Sequence, residues 1–384
     1  MPPRRTTIPS ALILLLLLGA FAAGCAGVPA QVIEAAASQA PGAQTAQATL
    51  PAFENPPAGS AASAGYHWPG ADWPTAEPGA RGVDPQGLSA LQDAVLERAP
   101  LTTSMLVIRS GELVLEQYFG SGGPEVRSEI YSCTKSFIAT LIGIAVDQGV
   151  LPGTDARVLD YFPGRTFSNP DPRKDTMTLE DLLTMTAGLD WTEGDPAIYA
   201  LYGSPDWSQF MLDRPMLEDP GTRFNYCSGC SHLLSAILEE AAGMSTLDYA
   251  RQVLFEPIGI SHPEWQRDSQ GVPIGGWGLQ LTPREMARLG YLYLRGGVWE
   301  ERQIVSREWV EAASTPYVEA EDKLSYGYQW WVRPSMHGYA AIGRGGQMIA
   351  VVPEKDLVVV FTSLGGDSEA LFQLIEEFIL PATN

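Results

Sequence analysis

The sequence predicts an α+β fold: one antiparallel sheet built from both ends of the chain and flanked by helices, with a mostly helical subdomain inserted between them. Three observations predict it. Two β-type runs, Ser104–Arg109 and Leu113–Phe119, stand early and are separated by Ser110-Gly111-Glu112, a hairpin signal. Strand-like runs return only late, at Tyr326–Val332, Tyr339–Ile342, Met348–Val352 and Leu357–Ser363. Between them, from Lys135 to about Ser314, the pattern is helical and broken by Pro and Gly loops.

The chain divides into three parts. Residues 1–24 carry Arg4 and Arg5, an apolar run from Ala11 to Ala23 too short to span a bilayer, and the small-residue ending Ala22-Ala23-Gly24. These are the marks of a secretory signal. Cys25 directly after it resembles the lipidated cysteine of bacterial lipoproteins, which implies an exported protein anchored by lipid on the outer face of a bacterial membrane, or a periplasmic one. Residues 25–72 are rich in Ala, Pro and Ser without a period of 2 or 3.6, as in a flexible tether. Residues 73–384 form the folded domain, its helical subdomain spanning about 136–315. Within it, Asp84-Pro85 reads as an N-cap with Pro at the first helical position, followed by Leu88, Leu91, Val95 and Leu96 at helical spacing. The last stretch, Ser368–Leu380, has helical spacing too.

Composition narrows the function. With 45% apolar and 18% charged residues, a chain of 384 residues buries a large core. A net charge of −21 with only four Lys argues against nucleic-acid binding, since a phosphate backbone rewards clustered Lys and Arg. Past Cys25 there remain Cys133, Cys227 and Cys230. An exported location permits a bridge among these three, and the spacing leaves open which pair forms. Cys227-x-x-Cys230 has no second Cys or His pair at ligand spacing, so no metal is expected.

The chemistry starts at Ser132-Cys133-Thr134-Lys135. An almost wholly apolar helix follows, through Phe137, Ile138, Leu141, Ile142 and Ile144 to Asp147-Gln148-Gly149. Such a helix is buried, and Lys135 is its only charge before that end. A buried ammonium needs a partner or a lowered pKa. Three residues apart on one face, the amine reaches the Ser132 hydroxyl, which is a poor nucleophile until a base takes its proton. The helix start also sets backbone N–H groups beside a developing oxyanion. A second element, Phe224-Asn225-Tyr226-Cys227-Ser228, leads into a helix over about His232–Ala242, and Tyr226 offers a phenol to relay a proton between Ser132, Lys135 and the leaving group. A third, Gly343-Arg344-Gly345-Gly346-Gln347, stands beside a strand, where paired glycines let a backbone approach a substrate. Trp191, Tyr199, Tyr202, Trp207 and Trp330 are candidate pocket aromatics, with core packing the commoner fate of each.

The order Ser132-x-x-Lys135, Tyr226-x-Ser228, Arg344-Gly345-Gly346 resembles the three motifs of the serine β-lactamase and penicillin-binding-protein superfamily. It is most similar to the class C-like branch with its esterases, D-aminopeptidase-type enzymes and 6-aminohexanoate-dimer hydrolases. Leu182-Leu183-Thr184-Met185-Thr186-Ala187-Gly188-Leu189 and Gly276-Trp277-Gly278-Leu279-Gln280-Leu281-Thr282-Pro283 look like that branch's connecting segments. The resemblance covers about residues 73–381. It implies a nucleophile at Ser132, a base at Lys135, a relay at Tyr226, an oxyanion hole from the backbone N–H groups of Ser132 and Gln347, and substrate contacts from Ser228, Arg344, Gly345 and Gly346. It further implies an acyl-enzyme cycle on a small-molecule or peptide-like ester or amide, without metal or organic cofactor. Ser228 stands where β-lactamases usually carry Asn, and Arg344 where they carry Lys or His, so efficient β-lactam hydrolysis is not expected. The competing reading is a penicillin-binding-type sensor ectodomain that acylates without turnover. An α/β-hydrolase is disfavoured, because there is no G-x-S-x-G and no suitably placed residue among His67, His232, His262 and His337. Oligomeric state is not legible.

Overall fold

A computed structural model describes residues 66–384 apart from residue 322. The signal, Cys25 and most of the tether lie outside the described residues. The packed chain opens at His67 and Trp68: His67 accepts from the Tyr291 hydroxyl through its carbonyl, and the Trp68 ring meets those of Tyr291 and Trp299.

One sheet of eight strands dominates: β1 (Thr102–Arg109), β2 (Glu112–Tyr118), β3 (Val318–Glu319), β4 (Ser325–Tyr326), β5 (Trp331–Arg333), β6 (Gly338–Gly343), β7 (Gln347–Val352) and β8 (Leu357–Ser363). Its order is β2-β1-β8-β7-β6-β5-β4-β3, antiparallel throughout, so β1 from the chain's start pairs with β8 from its end. The sheet from both chain ends that the sequence predicts is therefore present.

Both faces of this sheet are covered, and side chains alternate between them. Met105 and Val107 of β1 pack under α1 (Pro85–Arg98) with Leu88, Leu91 and Val95, and against Leu371, Phe372 and Ile375 near the C-terminus. Leu106 and Ile108 face the opposite core. There lie α2 (Thr134–Asp147), α3 (Ser228–Ala242) and α4 (Pro283–Leu294). Double coverage explains why β8 reads Leu-Val-Val-Val-Phe with every residue buried. The Asp84 cap accepts from the Gln86 N–H at 3.0 Å, with Pro85 at the first helical position as expected.

Three elements depart from the sequence reading by more than two residues at an end. The run Tyr326–Val332 is two strands separated by a turn, because Gln329 takes a left-handed φ of 59° and its amide donates to the carbonyls of Leu182 and Leu183 at 3.0 and 2.8 Å. A period of two cannot register a side chain that ties a strand to a distant helix end. The helix expected from about His232 starts four residues earlier, at Ser228, because Cys227 caps it: the Cys230 N–H donates to its sulfur at 3.0 Å. The C-terminal helix Ser368–Leu374 passes into a wider turn over Ile375–Ile379.

Candidate active site

Ser132 sits in a single tight helical turn, Tyr131–Cys133, that precedes α2. Tyr131 adopts φ 47°, a left-handed conformation that costs a non-glycine residue about 1–3 kcal/mol. The turn is held by its surroundings: the Ile130 N–H donates to Leu279 O at 2.9 Å and the Cys133 N–H to Ile130 O at 3.1 Å. Ser132 is consequently half-buried at the head of a helix whose body is sealed in the core.

Lys135 is 1% exposed. Its Nζ lies 2.9 Å from Ser132 Oγ, 2.9 Å from Ser228 Oγ and 2.7 Å from the Gly276 carbonyl oxygen. No carboxylate among the described residues touches it. Burial therefore lowers its pKa to about 8, a shift opposed in part by the charge of Glu193 and by Cys133. The Gly276 carbonyl reaches the amine only because its loop runs hard against α3. A Cβ on Gly276 would stand 2.8 Å from Ser228 O, and one on Gly275 2.1 Å from Ser231 O.

Tyr226 neighbours Ser132, and burial raises its pKa, so it is a phenol at neutral pH. Lys135 Nζ lies over the ring face, 4.8 Å from its centroid. The ring is fixed by a 5.5 Å stack on Trp331, an edge contact with Tyr326 and a tilted contact with Phe224.

The Arg344-Gly345-Gly346 segment is the hairpin turn between β6 and β7, with both glycines at positive φ, 78° and 88°. It adjoins the nucleophile turn: a Cβ on Gly343 would stand 2.3 Å from Ile130 O. Gln347 opens β7, and its carbonyl oxygen accepts from the Cys133 thiol at 3.6 Å. The backbone groups of Ser132 and Gln347 are in this way tied to each other through the residue after the nucleophile. Cys133 is fully buried with a raised pKa, which makes it a packing residue rather than a second nucleophile. Arg344 is exposed on the turn.

Ser228 lies beside Lys135 on the first turn of α3. It is 2% exposed and its hydroxyl bridges Lys135 and Glu193. Glu193 and the Gly276 carbonyl are the site groups that sequence reasoning missed. A Glu in a loop carries no periodicity, and a backbone acceptor carries no side-chain signal. The cysteine pairing is Cys227 with Cys230, leaving Cys133 as a thiol. That bridge encloses Ser228 and follows Tyr226 directly. Among the pocket aromatics, Trp191, Trp207 and Trp330 are buried, while Tyr199 and Tyr202 are exposed.

The β-lactamase family model matches residues 88–383. The chain belongs to the β-lactamase family. Its relatives include the 6-aminohexanoate-dimer hydrolase of Paenarthrobacter ureafaciens, 26% identical over 70% of this chain and 74% of that one. The D-aminopeptidase of Brucella anthropi is 28% identical over 42% of this chain and 32% of its own length. Among solved structures, a family VIII carboxylesterase superposes with a TM-score of 0.61 at 18% identity, covering 78% of this chain and 98% of the other, a likeness of fold. The chain is accordingly a serine hydrolase of the β-lactamase superfamily, with the mixed helix and antiparallel-sheet architecture of that group.

Proposed function

We propose that this protein is an exported hydrolase of esters or amides that works through an acyl-enzyme on Ser132. The observation that carries the reading is the 2.9 Å contact between Ser132 Oγ and a buried lysine amine whose pKa is lowered to about 8. Ser132 Oγ attacks the acyl carbon and its proton passes to Lys135 Nζ, while the carbonyl electron pair moves onto oxygen. The backbone N–H groups of Ser132 and Gln347 receive that oxyanion. As the intermediate collapses, Tyr226 donates its proton to the departing amine or alkoxide, and the proton taken up by Lys135 restores the phenol. Water then attacks the acyl group by the reverse path and frees Ser132. Arg344, with Gly345 and Gly346 beside it, receives the acyl substrate from the hairpin turn, its guanidinium suited to a substrate carboxylate.

The deciding experiment is a panel of chromogenic short-chain esters, linear amides and D-aminoacyl amides, with intact mass taken during turnover. Steady-state product together with a transient adduct on Ser132 is expected for at least one ester or amide. An adduct that forms and never turns over would make the protein an acylating sensor, and no adduct with any acyl probe would end the reading.

Export rests on the N-terminal pattern, and the Cys227–Cys230 bridge fits an oxidising compartment. Expressed in a bacterial host, the full chain should partition with membranes and the Cys25→Ser variant should lose that partition. Equal membrane fractions for the two forms would refute a lipid anchor at Cys25.

A further inference from the structure

Glu193 lies in the loop before the helix Asp195–Tyr202, outside the three motifs, yet its carboxylate reaches into the site. Its Oε1 accepts from Ser228 Oγ at 2.7 Å. Its Oε2 accepts from the Ser228 N–H at 3.0 Å and from Trp191 Nε1 at 2.6 Å. The loop is pinned in turn by Asn225, whose amide donates to the Trp191 carbonyl at 2.8 Å. So the carboxylate rests on the first turn of α3, where peptide dipoles favour negative charge.

Counting donors and acceptors gives this carboxylate a consequence. A serine hydroxyl has one proton, and a carboxylate can only accept. Ser228 therefore gives its proton to Glu193 and can present only a lone pair to Lys135, 2.9 Å away. The Gly276 carbonyl, 2.7 Å from the same amine, also only accepts. A neutral amine has two N–H bonds and one lone pair. Both N–H bonds are taken by these two acceptors, and the lone pair is left for the remaining neighbour, Ser132 Oγ–H. If Ser228 kept its proton free, it could donate to Lys135 and compete with Ser132 for that lone pair.

We propose that Glu193 is a positioning residue for the base: by fixing the direction of the Ser228 hydroxyl proton, it aims the Lys135 lone pair at Ser132. The inference rests on the hydrolase reading above and deepens it. Acting through Ser228, Glu193 contacts neither Ser132 nor Lys135 by hydrogen bond. The groups whose charge or titration bears on Lys135 are Glu193, the Cys133 thiol and the Tyr226 phenol, with Tyr326 behind that phenol.

The test uses a fluorophosphonate, which reports nucleophile activation whatever the physiological substrate. Ser132 Oγ forms the P–O bond, fluoride leaves, and the serine proton passes to Lys135. Labelling rates are measured against pH by intact mass and normalised to the final labelled fraction, so that only folded protein counts. Glu193→Gln should lower the high-pH plateau rate about 10-fold or more. It should also move the acid midpoint to lower pH, because the carboxylate that raises the Lys135 pKa is gone. In a Ser228→Ala background the same substitution should change the plateau by less than about 3-fold, since the hydroxyl it acts through is absent. A Glu193→Gln plateau and midpoint equal to wild type, or an equally large plateau loss without Ser228, would overturn the inference while leaving the hydrolase reading intact. A wild type that the phosphonate never labels would overturn both.

Discussion

Ser132→Ala should abolish steady-state hydrolysis, lowering kcat by about 10⁴- to 10⁶-fold, with no adduct detectable by mass. The size of the loss follows from the site's economy. In the proposed cycle Lys135 and Tyr226 both act around the Ser132 hydroxyl, so removing it idles them together. Folding should be untouched, because Ser132 is half-buried and contributes no core packing. Rates on the best substrate of the panel, with thermal melting of both forms, provide the check. A residual rate within about 10² of wild type would mean that the acyl group is carried elsewhere or that water is activated directly.

Lys135→Met should cost about 10²- to 10⁴-fold in kcat/KM by removing the base while keeping a side chain of similar length. In the proposed cycle the working form is the neutral amine. With its pKa lowered to about 8, kcat/KM should rise with pH through about 8 and level off above it. Stability carries the same signature. A buried lysine binds its proton less tightly folded than unfolded, so between about 8 and the ordinary 10.5 the unfolded chain holds more protons. Over that window the lysine's contribution to stability increases with pH, and below about 8 the full burial penalty is present. Both the kinetic limb and this stability increment should vanish in Lys135→Met. Kinetic and thermal-melting profiles from pH 6 to pH 10.5 read the two together. A wild-type acid limb well below pH 7, retained in the variant, would assign the base to another group.

Arg81–Glu112 and Arg295–Asp356 are close ion pairs that tie loops and turns around β1 and β2 to neighbouring segments. They belong to the scaffold and sit apart from the Ser132 chemistry. The buried His232–Asp268 pair, 3.1 Å apart, likewise joins α3 to the loop leading into Gly275 and Gly276. It thereby helps hold the carbonyl that Lys135 requires. His232 is buried between Asp268 and the Trp207 ring.

Much of this was legible in the chain by itself because the signals are local. The spacing of Ser132 and Lys135 on an apolar helix is a property of four residues and the fourteen-residue element α2 they lead into. The strands at both ends show as runs of β-branched and aromatic residues, and β8 matches Leu357–Ser363 to the residue. The helix cap at Asp84 is a two-residue signal. Tertiary structure decided the rest, since hydrogen-bond direction and proximity between distant loops leave no periodic trace. Only the fold brings Gly276 O and Ser228 Oγ, 141 and 93 residues away in the chain, onto one amine. Only the fold pairs Cys227 with Cys230 and turns Cys133 toward Gln347. It also makes Ser228 a link between Lys135 and Glu193. Residue types and spacing determine which groups can do chemistry, whereas the number of acceptors packed around a buried amine determines where its lone pair points.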